Sequence, residues 1–160
     1  MRTKLLTIIA GLSLLIPVLF LLFSKEGPTL LYPFPALMFV PSFLLRRAAV
    51  LVPVVLFFVW NPGLFRGEAK IPRRSYILLI ATTILSVVWF VVGWRDGLAV
   101  QGARYNYWIS SINALWIALL WLLFFWGRKE QPSFRANLLL HWVMFAWFAW
   151  YAFPFLGELI

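Results

Sequence analysis

His141 is the single histidine of the chain, and it stands inside an apolar run four residues after Asn137. An ionisable ring at membrane depth is a functional hypothesis by default, as a proton relay or a ligand contact. Its neutral form needs only one donor and one acceptor partner. A hydrogen bond to Thr82 or Thr83, expected at similar depth on another helix, is therefore the structural alternative. Metal binding requires several converging ligands; with one His and no Cys, neither a metal nor a cofactor site is expected.

A second polar group is better patterned. Asn106, Ser110 and Asn113 fall at i, i+4 and i+7, so a helix projects all three from one side. Ala114 and Ala118 extend that side from Ser110 at the same spacing. Small residues so placed let two helices approach closely, and amides then bond across the contact. The face suits a membrane-protein partner, a second copy of the chain, or the polar lining of a solute path. Arg46-Arg47 either marks a membrane surface or captures a lipid phosphate in its guanidinium forks.

Hydrolytic chemistry is poorly supplied. Paired carboxylates must share one depth, whereas Glu26, Glu68, Asp96, Glu130 and Glu158 are scattered over separate segments. A Ser–His–acid set needs a carboxylate to orient the imidazole, and none lies near His141 in sequence. Gly93-x-x-x-Gly97 and Gly97-x-x-x-x-Gly102 lack the Lys-Ser/Thr ending of a phosphate loop. No catalytic residue is assigned.

The elements that position these residues follow from composition. The 160 residues are 64% hydrophobic and 12% charged, with a mean hydropathy of +0.92. Soluble domains carry about 25% charged residues, so lipid is the expected solvent for most of the exterior. The net charge of +9 sits in short segments between apolar runs, where it orients helices and meets anionic headgroups. It lacks the stacking surface of a nucleic-acid binder, and no nucleic-acid partner is expected. The first segment carries a basic start but too long an apolar core for a cleaved signal peptide, and no cleavage site follows it.

Four runs are the right length to cross a ~30 Å hydrocarbon core: Leu5–Phe23, Tyr76–Trp94, Tyr105–Trp126 and Ala136–Phe155. Leu30–Trp60 is harder, with Pro33, Pro35, Pro41 and Pro53 and the Arg46-Arg47 pair inside it. As one helix it would reach about 46 Å, too long for a simple crossing. If it crosses once, Arg2, Lys4, Arg66, Lys70, Arg73, Arg74, Arg128, Lys129 and Arg135 share the inner side, against Lys25, Arg95 and Arg104 outside. Two crossings would reverse the bias that positive residues show for the cytoplasm. The expected fold is an all-α polytopic transmembrane helical bundle in one membrane domain. It has five spans, the second being Leu30–Leu45, plus a Pro-broken re-entrant or interfacial segment, Ala48–Trp60. The mirror arrangement, an external re-entrant piece followed by a span from Ala48, is the alternative. The N-terminus lies in the cytoplasm and the C-terminus outside, most simply in a bacterial cytoplasmic (inner) membrane.

The chain holds ten Trp and sixteen Phe. Trp60, Trp94, Trp108 and Trp126 end the runs, where an amphipathic ring prefers the headgroup level. Trp89, Trp116, Trp121 and Trp147 lie deeper, as helix packing or as the lining of a pocket for a flat apolar ligand. In length, five spans and tryptophan content the chain resembles the tryptophan-rich sensory proteins, which bind porphyrins and related flat ligands. It departs from them in Ser24–Pro35, SKEGPTLLYPFP, which has no Trp where that family carries a Trp/Pro-rich signature. The leading expectation is a non-enzymatic accessory or assembly subunit acting through helix–helix association. The alternatives are a binder or conduit for a small apolar or aromatic solute and, third, a membrane-embedded enzyme acting on lipid.

Overall fold

The computed structural model describes residues 1–16, 19, 51–99, 104–128 and 132–151, with the helical path alone for 89–90, 92–99, 104–110 and 150–151. All regular structure among them is α-helical. Six helices follow in order: α1 Arg2–Ser13, α2 Val52–Trp60, α3 Gly63–Arg66, α4 Arg73–Ala99, α5 Arg104–Gly127 and α6 Phe134–Tyr151. Among the described residues no helix is long and apolar enough to cross a membrane. The expected spans at 76–94, 105–126 and 136–155 thus correspond to helices, while their crossing is not established by the fold. Leu30–Leu45 and Arg46-Arg47 lie outside the described residues, as do the ends of the first and last expected spans.

The helices form two compact units, Met1–Ala69 with His141–Ile160, and Lys70–Leu140. In the first unit α1 packs on α2 and α3. Gly11 is buried, and a Cβ there would collide with the ring of Phe58, so the bare backbone is what lets the two helices approach. The Phe58 ring is itself held, stacked on Phe65 at 5.6 Å and edge-on to Phe57 at 5.5 Å. Phe57 is fully buried and meets Phe145 of α6 edge-on at 6.2 Å. Such offset and edge contacts match the positive rim of one ring to the negative face of the next.

The piece expected to be re-entrant, 48–60, is helical from Val52, with Pro53 in the first turn, where no intrahelical N–H is required. After Asn61-Pro62 the chain makes the single turn of α3, Gly63–Arg66. It stops at Gly67, whose φ of +78° is costly for any residue with a Cβ. Two bonds close that stop, Gly67 N–H to the Leu64 carbonyl at 3.2 Å and Glu68 N–H to the Gly63 carbonyl at 2.9 Å. The exposed Arg66–Glu68 pair, 3.8 Å apart, adds little in water-like surroundings.

In the second unit α4 and α5 run antiparallel, with Ser86 beside Asn113, Thr83 beside Trp121 and Tyr76 beside Phe124. Leu79, Leu120 and Phe124 are buried here. Tyr76, Trp121, Phe124 and Phe125 form a continuous ring cluster, with centroids 5.6–6.2 Å apart. Gly11→Ala is expected to lower stability by about 1–3 kcal/mol through overpacking against the fixed Phe58 ring. A lowered thermal midpoint in mild detergent checks this; an unchanged or raised one contradicts the close approach.

Candidate functional site

The polar side chains buried in the helices are the candidate site, and their bonding decides what they can do. On α4, Thr82 and Thr83 each donate a hydroxyl proton to the carbonyl one turn back, Leu78 and Leu79 respectively, the latter at 2.8 Å. A hydroxyl has one proton, so what each keeps is acceptor capacity. Thr83 uses it for the Trp121 indole N–H, at 3.0 Å. Asn113, 2% exposed, donates from Nδ2 to the Ser86 carbonyl at 2.9 Å. That carbonyl has a second lone pair beyond its helical bond, so the amide ties α5 to α4 without breaking the ladder. Asn137 at the start of α6 is fully buried and reaches the Lys70 carbonyl at 3.4 Å.

The first unit repeats the device with different residues. Thr7 Oγ1 lies 3.1 Å from the carbonyls of both Thr3 and Leu64, sharing one proton between α1 and α3. Ser13 donates to the Ala10 carbonyl at 2.7 Å and accepts the Trp142 indole N–H at 2.6 Å. His141 is fully buried in this unit and engaged with its surroundings. It belongs to the first unit, whereas Thr82 and Thr83 belong to the second.

One grouping from the sequence is divided. Asn113 is buried while Ala114 and Ala118 are exposed. At about 100° per residue, Asn113 falls about 60° to one side of position 110, and Ala114 and Ala118 fall about 40° and 80° to the other. Asn113 therefore lies about 100–140° around the helix from Ala114 and Ala118, with Asn113 meeting α4 and the two alanines turned outward. Asn106 and Ser110 lie on α5 and are described by helical path only, and Arg46-Arg47 is not among the described residues.

Four of the bonded groups were not singled out by sequence: Thr7, Ser13, Ser86 and Trp142. For Thr7 a signal existed. Thr3, Thr7 and Gly11 stand at i, i+4 and i+8, a small-residue stripe like that of α5, and Thr7 and Gly11 are both buried. Ser86 Oγ and Trp116 Nε1 are buried without a hydrogen-bond partner among the described residues, each a cost of about 1–3 kcal/mol if left so. Among the described residues no three His, Asp or Glu side chains gather as metal ligands would.

No known protein-family model, no curated protein and no solved structure matches the chain. What the side chains do must therefore be argued from their own geometry. Most of these polar groups are spent on helix contacts, by bonds that contribute about 0.5–1.5 kcal/mol each in net terms. Asn113→Ala is expected to weaken the α4–α5 contact by about 0.5–2 kcal/mol, and Trp142→Phe the α1–α6 contact by a similar amount. Detergent denaturation midpoints for the two variants check this. A loss beyond about 4 kcal/mol in either would mean that the group does more than join helices.

Proposed function

We propose that this chain is an integral membrane protein that acts by associating with another membrane component, through the outward side of α5, rather than by catalysing a reaction. One observation carries this reading: the second unit buries small polar side chains along its helices and turns large apolar ones outward. Ser75, Thr82, Ser86, Asn113 and Asn137 are buried, whereas Ile77 and Leu115 are 67% and 70% exposed and Ile84, Leu85, Val87, Val88 and Leu122 are exposed with them. In water, Ser, Thr and Asn are mostly exposed, and contiguous outward apolar surface marks a partner or a membrane. Length is compatible, since α4 and α5, at 27 and 24 residues, would extend about 40 and 36 Å. Their described stretches fall short of a full apolar crossing, so the direction of the side chains is the stronger support. The basic segments give the orientation proposed here, N-terminus cytoplasmic and C-terminus outside, in a bacterial cytoplasmic membrane.

The association surface is the stripe of Ala114 and Ala118, exposed among Ile112, Leu115, Leu119 and Leu122. Small residues there leave room for the backbone of a neighbouring helix, whether from another protein or from a second copy. A solute binder or conduit is the second reading, supported by Ser86 Oγ and Trp116 Nε1, which face no partner among the described residues and could serve a bound polar atom.

Both parts are testable. The protein is expected to stay with membranes through an alkaline carbonate wash; recovery as a compact monomer from detergent-free buffer would overturn the membrane reading. Ala114→Phe with Ala118→Phe should leave helicity and thermal midpoint near wild type, because both sites are exposed, while cross-linking to a neighbour in native membranes drops at least about tenfold. Unchanged cross-linking, together with a solute-dependent tryptophan signal abolished by Ser86→Ala, would favour the conduit instead.

A further inference from the structure

The second unit contains a half-open cavity of about 740 Å³ between the start of α4 and the end of α5. Three cationic side chains, Lys70, Arg73 and Arg128, reach its lining, and among its described lining residues none is a carboxylate. All three are exposed, and none of the three forms an ion pair among the described residues. Arg128 is not loose: its guanidinium sits over the Phe124 ring, 5.3 Å from the centroid, a contact that holds the charge against the cavity wall. The antiparallel course of α4 and α5 brings these charges together although 55 residues of sequence separate Arg73 from Arg128.

The rest of the described wall is apolar or aromatic. Tyr76, Ile77 and Phe124 line the cavity, and beyond Ile77 the exposed Ile80 and Ile84 continue along α4 at helical spacing. The first turn of α4 adds the positive end of a helix dipole. A cationic mouth, a volume within the usual range of small-molecule sites and an apolar track leading away from it are complementary to a molecule with a phosphate head and a hydrocarbon tail.

We propose that this cavity is a binding site for an anionic phospholipid, with Lys70, Arg73 and Arg128 holding the phosphate and Ile77, Ile80 and Ile84 guiding an acyl chain. The site rests on the membrane reading above, and it differs from the Arg46-Arg47 headgroup candidate in position and in residues. Free phosphate shares the head chemistry but would gain nothing from the apolar track.

The test uses the full chain reconstituted into phosphatidylcholine vesicles containing brominated phosphatidylglycerol or, separately, brominated phosphatidylcholine, with tryptophan quenching as the readout. The anionic lipid is expected to quench at least about tenfold more strongly at equal mole fraction. Changing Lys70→Gln, Arg73→Gln or Arg128→Gln singly should lower that preference by up to about fivefold, and changing all three together should abolish it. Arg2→Gln with Lys4→Gln, which removes two exposed charges from the first unit, should leave it unchanged. An equal loss in that control, or equal quenching by both lipids in a reconstituted protein, would overturn the site while leaving the membrane reading intact. Absence of quenching by both brominated lipids would overturn both. Inorganic phosphate binding to the detergent-solubilised protein, with the same dependence on the three cations and no lipid preference, would reassign the cavity to a soluble anion.

Discussion

A polar group removed from solvent must find its partner within the chain or pay for the lack of one, and that constraint organises both units. The α4–α5, α1–α3 and α1–α6 pairings each contain a side chain whose donor reaches a foreign backbone or side-chain oxygen: Asn113 to Ser86, Trp121 to Thr83, Thr7 to Leu64, Trp142 to Ser13. None of these bonds is strong in net terms. Their weight lies in direction, since a misplaced rotation of α5 would turn the Asn113 amide into apolar surroundings. Packing of rings and leucines supplies contact area, and the polar groups choose among the rotations that would supply it almost equally well.

The same constraint explains why charge is confined to helix ends. Lys70, Arg73 and Arg128 gather at one end of the α4–α5 pair, and the Arg66–Glu68 pair lies just past α3. The described middle of each long helix carries Ser, Thr, Asn or His at most. Neutral groups of this kind can be satisfied by one or two partners, whereas a buried charge would require a full complement of them.

Much of the helical content was legible in the sequence because apolar runs bounded by charge leave few alternatives. The boundaries were less so. α4 begins at Arg73 and continues to Ala99, through Arg95-Asp96-Gly97 beyond the Tyr76–Trp94 run, because charge limits an apolar run without interrupting backbone hydrogen bonding. α3 is four residues long, too short for periodicity to register, and Asn61-Pro62-Gly63 reads as a turn. Asn113 was recognisable as a helix contact, but its separation from Ala114 depends on which neighbour lies to either side, and spacing along one helix does not carry that information. Ser13 and Trp142 are an extreme case, since each looks unremarkable in its own segment and acquires meaning only from the other.

That last bond has a consequence for the order in which the molecule can be completed during synthesis. The acceptor in α1 and the donor in α6 are 129 residues apart, and Thr7 waits 57 residues for Leu64. At ribosomal rates of about 5–20 residues per second, α1 emerges roughly 6–26 s before Trp142 exists. Through that interval α1 holds an incomplete set of neighbours, so a helix made before its partners is among the last to reach its final surroundings.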